Sequence, residues 1–359
     1  MTLSTSEAVA AAGKEEAMGD TTGAKTVVVT GGNAGLGYEC AKGIAGAGRE
    51  WRVVLAVRSR EKGERAARAI AEETGNPNVE AMGLDLASLA SLRSFARELA
   101  RRNDLLPLRA LVCNAGLQVV SGTSYTEDGF EESFGVNHLA HFLLVNLVLW
   151  QLEAPARIVF VSSGTHDPER RTGMPAPRYR GARALAYPER YPDPEEGREG
   201  PGKVGRRRYT ASKLCNAMCA YELDRRLRAG GLSTPEAPID ANAFDPGAVP
   251  GTGLARNHAP LARFAWDRGV GRLVPILRRL GVPFSTAEAS GRALARLVTD
   301  PSLEGVSGRY FEIYEEARSS EESYDLEKAQ ELWEESAAMV GLGPRETPLR
   351  VAATTPGGS

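Results

Sequence analysis

Short apolar runs rich in β-branched residues alternate along this chain with longer segments of helical periodicity, a pattern that predicts parallel strands joined by helices. Thr26 to Thr30, Trp51 to Val57 and Ile239 to Phe244 have the near-continuous hydrophobicity of strands buried on both faces. Tyr38 to Ala47 and Glu61 to Glu73 read as helices, and each crossover is expected to be right-handed. Two stretches break the alternation. Residues 164–208 hold Gly173-Met-Pro-Ala-Pro, Tyr187-Pro, Tyr191-Pro-Asp-Pro and Gly200-Pro, a proline and glycine density that predicts turns and extended chain, not regular helix. Leu254 to Phe284 sets Leu261, Phe264, Trp266, Leu273, Ile276 and Leu280 at helical spacing among arginines, which predicts one or two amphipathic helices.

Composition bounds this picture. The 359 residues are 42% hydrophobic and 25% charged with a net charge of −2, enough to bury one large α/β core. There is no basic excess of the kind that marks a nucleic-acid partner. No apolar run is long enough to predict a membrane span. Met1 to Ala24 lacks an apolar signal core and an arginine-rich transit character, so it is expected to be a disordered tail, as is Gly343 to Ser359. The domain then occupies residues 25–342, and a cytoplasmic location is expected. Cys40, Cys113, Cys215 and Cys219 fall in helices or a strand and read as free thiols in a reducing compartment. His138 and His141 share a helical face but have no carboxylate or cysteine at ligand spacing, so no metal is expected.

Candidate chemistry begins where the first strand ends. Gly31-Gly-Asn33-Ala34-Gly35-Leu36-Gly37 follows a buried strand and opens a helix, the order of a phosphate cradle in which backbone amides and the helix dipole meet a pyrophosphate. The second strand ends in Arg58, with Ser59, Arg60 and Lys62 close behind. An acidic residue there would bond a ribose 2′-hydroxyl, whereas a guanidinium suits a 2′-phosphate, so NADP is favoured over NAD. Further on, Tyr209-Thr-Ala-Ser-Lys213 places a phenol and an ammonium four residues apart, on one face of a helix. A fixed cation beside a phenol should lower its pKa from ~10 toward working pH, as a general acid or base requires.

These motifs, with Asp85-Leu86 after a third strand, Cys113-Asn114-Ala115-Gly116 after a fourth, Asn137 in GVNHLAHF and Ser162-Ser163 after a fifth, resemble the short-chain dehydrogenase/reductase family over about residues 25–342. DGFEESFGVNHLAHFLL, SKLCN and EKAQELWEESAAMVGL are similar to the branch holding retinol dehydrogenases, the WW-domain oxidoreductase and light-dependent protochlorophyllide oxidoreductases. The resemblance implies a single-domain Rossmann fold with a seven-stranded doubly wound sheet, order 3-2-1-4-5-6-7, and a helical lid at 250–285. It implies that NADPH or NADP lies on Gly31, Asn33, Ala34, Gly35, Leu36 and Gly37, with Asp85 and Leu86 flanking the adenine. Asn114, Ala115 and Gly116 would run beside it, and Pro246, Gly247, Val249 and Thr252 would face its nicotinamide. Asn137, Ser163, Tyr209 and Lys213 would form the catalytic set: Asn137 supporting a water in a proton relay, Ser163 orienting the substrate oxygen, Tyr209 as acid and base, and Lys213 binding the nicotinamide ribose and acidifying Tyr209. Ser162 is left to strand-end packing.

Two departures qualify the resemblance. The link from Ser163 to Tyr209 is far longer than many family members need, and such a loop beside the serine could wall the substrate. Ala248 stands where the light-dependent enzymes carry a cysteine after the proline-glycine pair, although Cys215 matches another of their cysteines. The activity expected is hydride transfer between NADPH and a carbonyl or alcohol of a lipophilic or bulky ring substrate. Reduction of a tetrapyrrole C=C bond and a non-catalytic NADPH-binding scaffold remain open. The expected partner is a small molecule and no nucleic acid, with a second copy of the chain or a membrane surface under the lid as further contacts.

Overall fold

The computed structural model describes residues 24–105, 107–120, 122–170, 172–249 and 285–350. Thr252 and the lid segment up to residue 284 lie outside them, as do the first tail up to residue 23 and the last nine residues.

Among the described residues eight strands form one sheet. In chain order they are β1 (Lys25–Thr30), β2 (Trp51–Val57), β3 (Val79–Gly83), β4 (Leu108–Cys113), β5 (Leu152–Val161), β6 (Ile239–Asp245), β7 (Tyr310–Glu312) and β8 (Glu315–Ala317). Their order across the sheet is 3-2-1-4-5-6-7-8, so the expected order holds for seven strands and an eighth is added. The first seven are parallel, while β8 turns back on β7 as a hairpin through Ile313 at φ 54°. At three residues β8 is too short for a periodic signal.

The helices are α1 (Gly35–Ala45), α2 (Arg60–Thr74), α3 (Leu89–Arg101), α4, α5 (Ala182–Ala186), α6 (Pro201–Ala229), α7 (Ala287–Thr299) and α8 (Leu326–Met339). Helix α4 starts at Glu132–Phe134, passes a π turn at Gly135–Leu139 and ends as Ala140–Val148. Local signals fit these bounds: Ser59 and Ser88 accept amides at the starts of α2 and α3, and Gly75 closes α2 in the left-handed region.

Parallel strands bury both faces, and two apolar clusters result. Val27, Val29, Val53 and Leu55 point toward α1, α2 and α7. Val28, Leu111, Ile158 and Phe160 point toward α3, α4, α6 and α8. Side chains of this kind, fully buried, contribute about 1.5–3 kcal/mol each. Residues Glu132–Gln151 are long and apolar enough to cross a membrane by composition, contrary to the expectation from the sequence, yet 89% of that window is buried in the second cluster, as befits a core helix.

Two expectations need correction. Residues 343–350 are not a loose tail: Glu346 pairs with Arg93 at 2.8 Å, the Thr347 hydroxyl donates to Asn146 at 2.9 Å, and Leu349 is buried. Nor is the 164–208 insertion free of regular helix. It contains α5, and from Pro201 onward it is the start of α6, because a proline at the first helical position loses no hydrogen bond.

Candidate active site

The glycine turn is built for close approach. Gly31 and Gly35 take φ of 67° and 54°. A Cβ on Gly37 would lie 2.5 Å from Asn114 Nδ2 and 2.6 Å from the Gly31 carbonyl, so only glycine passes there. Ala34 caps α1 without a side-chain hydrogen bond, which leaves the first amides of the helix to a ligand. Asn33, Ala34 and Leu36 therefore line a backbone cradle that fits a dinucleotide pyrophosphate. Asn114 holds its floor, donating from Nδ2 to the Thr30 carbonyl at 2.8 Å, while the Thr30 hydroxyl accepts the amides of Asn114 and Ala115 at 2.9 and 3.0 Å.

At the outer strands, Arg58 is exposed at the end of β2, and among the described residues no carboxylate pairs with it. Arg60 is taken by Glu64 at 3.0 Å, and the Ser59 hydroxyl by the Lys62 amide. Asp85 Oδ1 accepts the Ala87 amide at 3.0 Å and fixes the turn after β3, with Leu86 half-buried beside it.

Helix α6 delivers Tyr209 and Lys213, both buried, to the end of β5. Lys213 Nζ lies 5.7 Å from the Tyr209 ring centre and donates to the Val161 carbonyl at 2.9 Å. The Ser163 hydroxyl is near enough to the Tyr209 phenol to favour its ionised form. Ser163 also accepts from the Thr165 hydroxyl at 3.0 Å, and Ser162 bonds the Lys213 carbonyl at 2.7 Å. Gly116 closes the gap between the two halves: a Cβ there would sit 3.2 Å from Asn137 Oδ1 and 3.5 Å from Lys213 Nζ.

Asn137 works as a clamp. Its side chain exchanges bonds with the Leu117 backbone at 2.8 and 2.9 Å and donates to Ser212 at 2.9 Å. The π turn turns its carbonyl toward His141, whose Nδ1 lies 3.0 Å away, and His141 Nε2 reaches the Thr30 hydroxyl at 3.0 Å. Burial pushes the His141 imidazole down to about 4, so it is neutral, donating from Nδ1 and accepting at Nε2. His138 lies on Ser336 instead, and among the described residues no group of three His, Cys, Asp or Glu is placed to hold a metal. All four cysteines are buried and free, and burial pushes the Cys215 thiol well above its ordinary range.

Electrostatically the pair departs from expectation. Burial, reinforced by the Asp245 charge, pushes the Tyr209 phenol up, with the nearby Ser163 hydroxyl opposing. Burial works on the lysine too and pushes it down to about 8, with Asp245 opposing, and the net shift of Tyr209 is upward despite the nearby ammonium. Beyond the pair, Asp245 takes the Gly247 amide at 2.9 Å, Ser290 donates to the Pro246 carbonyl at 2.6 Å, and Val249 is buried behind them.

Sequence reasoning missed Thr30, His141, Ser212, His166, Arg170 and Asp245 as parts of this site. His166 is buried, bonds the Ser163 carbonyl from Nδ1 and accepts the Ser320 amide at Nε2, tying the serine loop to the turn before α8. Only Ser212, three residues from Tyr209 on the same helix, carried a local signal.

The insertion docks around this centre. Glu331 on α8 accepts the Tyr179 hydroxyl and the Ala182 amide, and Arg207 and Arg208 on α6 pair with Glu199 and Glu196.

Comparisons with known proteins agree with this construction. Residues 25–174 match the family model described as short chain dehydrogenase. Chloroplastic protochlorophyllide reductase B of Oryza sativa subsp. japonica is 34% identical over 89% of this chain and 78% of its own. Retinol dehydrogenase 13 of Mus musculus is 37% identical over 89% of this chain and 84% of its own. Among solved structures, an uncharacterised protein from Mycobacterium paratuberculosis is 28% identical, with a TM-score of 0.55 over 88% of this chain and 93% of that one. A blue fluorescent protein from a metagenomic library, solved with NADPH, is 22% identical with a TM-score of 0.55 over 82% and 98%, a likeness of fold alone. The chain belongs to the short-chain dehydrogenase/reductase family and is an oxidoreductase of it.

Proposed function

We propose that this enzyme uses NADPH to reduce the carbonyl of a lipophilic or bulky ring substrate, with Tyr209 as the proton donor. The observation that carries the reading is the buried Tyr209 with Lys213 Nζ 5.7 Å from its ring at the end of β5, beside Ser163 and at the edge of a cradle that only glycine permits. Bound NADPH supplies the hydride to the carbonyl carbon. Tyr209 donates a proton to the carbonyl oxygen, and Ser163 hydrogen-bonds that oxygen as its charge develops. Lys213, charged at neutral pH, stabilises the phenolate left behind. The unpaired Arg58 supports a 2′-phosphate and hence NADPH over NADH.

The test follows NADPH oxidation with all-trans-retinal, 9,10-phenanthrenequinone and a series of lipophilic ketones. Tyr209→Phe should lower turnover ~10² to 10⁴-fold and leave NADPH affinity intact. Retention of more than about a tenth of the rate would place the acid elsewhere.

The similarity to protochlorophyllide reductases favours a second reading, light-dependent C=C reduction through the same Tyr209 and Lys213. Ala248 in place of a cysteine weighs against it. Illumination of the protein with NADPH and protochlorophyllide should leave the pigment spectrum unchanged under the ketone reading, and a light-induced shift would establish the alternative.

A further inference from the structure

One buried acid beside the catalytic pair belongs to no motif. Asp245 ends β6 at 2% exposure. Oδ1 accepts the Gly247 amide at 2.9 Å. Oδ2 lies 3.4 Å from Arg170 Nη1, a guanidinium that the insertion carries back under the serine loop. Gly164, the residue after Ser163, leaves room for this meeting, since a Cβ there would lie 2.6 Å from Asp245 Oδ2 and 2.8 Å from Arg170 Nη1.

Arg170 does not neutralise Asp245 alone. The same Nη1 is closer to Glu312 of β7, at 2.9 Å, and its Nε is 3.6 Å from Asp167. Three carboxylates therefore surround one guanidinium, and the remaining negative charge lies close to the pair, since Asp245 follows Phe244, whose register partner Val161 accepts Lys213 Nζ at 2.9 Å. The phenol of Tyr310 on β7 also feels Asp245, and His166 meets Tyr310 edge-on at 5.5 Å. His141 feels the Lys213 charge and is neutral.

We propose that Asp245 is a positioning residue for the acid–base pair, its carboxylate holding Tyr209 in the phenol form and Lys213 in the ammonium form, with Arg170 of the insertion setting how strongly it acts. The inference rests on Tyr209 being the proton donor, and it gives the pair a direction. A protonated phenol beside a charged lysine is primed to donate, which suits carbonyl reduction over alcohol oxidation at neutral pH. It also gives the insertion a second task besides walling the substrate, because Arg170 belongs to it.

Both effects have a sign that a packing role would not share. The full-length protein, labelled at lysine Cε and free of substrate, is titrated by NMR, with Lys213→Met identifying the resonance. In the native protein Lys213 should titrate at about 8. Asp245→Asn should lower that midpoint by about one unit, and Arg170→Gln, which leaves Asp245 less neutralised, should raise it. An unchanged or raised midpoint in Asp245→Asn overturns the proposal. If that variant does not fold, Arg170→Gln decides, with an upward shift supporting the proposal and no shift overturning it. Reduction of 9,10-phenanthrenequinone gives a second readout, since the basic limb of the pH–rate profile should move to lower pH in Asp245→Asn. If no carbonyl is turned over, the reductase reading fails on that result while the lysine titration still judges Asp245.

Discussion

The two halves of the active site are made by different means. On the cofactor side, the turn from Gly31 to Gly37 is shaped by backbone alone, with positive φ, an uncapped helix start and a contact in which one methyl group would collide. On the other side, residues 164–208 are held by side chains that reach across the fold, Arg170 to Asp245 and Glu312 and Tyr179 to Glu331. A backbone cradle tolerates no substitution at its closest points and recognises what all dinucleotides share. A side-chain scaffold can exchange members in pairs, which suits the half that must distinguish substrates.

That contrast can be broken at either end. Gly37→Ala should weaken NADPH binding by about a hundredfold, because a Cβ against Asn114 and the Gly31 carbonyl forces the cradle open at a cost of about 1–3 kcal/mol. Isothermal titration checks it, and affinity within about threefold of the native value would show that the turn can yield. Arg58→Ala should erase a preference for NADPH over NADH of at least about tenfold, worth ~1.4 kcal/mol, without altering NADH binding. Equal dissociation constants in the unaltered protein would remove the basis for that expectation. Glu331→Ala should leave cofactor affinity alone but free the insertion, raising KM for bulky carbonyls by about fivefold through the loss of hydrogen bonds worth roughly 1.5–3 kcal/mol when one partner is charged. Limited proteolysis between residues 172 and 200 should quicken in step.

The smallest effect tests stability away from both halves. Asp240, near the start of β6, is pushed up to about 6 by burial. The unfolded carboxyl titrates near ~3.9, so the folded state holds the extra proton between these values. Its contribution is fully present below the lower value and is lost as pH rises through about 6. Asp240→Asn should flatten that part of the Tm against pH curve, leaving KM values in place.

How much of this was legible follows from distance along the chain. The cradle occupies consecutive residues, and Tyr209 with Lys213 needs only helical spacing, so both could be read directly. Arg58 was legible because a strand end is a local signal. The His141 to Thr30 contact spans 111 positions, Arg170 to Asp245 spans 75 and Tyr179 to Glu331 spans 152, and no local pattern encodes such pairings. The expected acidification of Tyr209 failed for a related reason. Spacing shows that a cation is near, whereas burial and the Asp245 charge, which decide the sign, depend on everything packed around it. The helix start at Pro201 was a different miss, since proline at a first helical position is itself a start signal and was outweighed by the prolines before it.

Helix α6 runs unbroken for 29 residues, about 43 Å at helical rise, with the arginines that grip the insertion one turn or less from Tyr209. The insertion and Tyr209 are thus mounted on a single beam. Whatever the chain between Arg178 and Glu199 becomes in a descendant of this enzyme, its anchorage at Arg207 and Arg208 keeps it in register with the proton donor. New substrate shapes can be tried without realigning the chemistry, and the same mounting means that a badly seated loop would pull directly on the residue that turnover depends on.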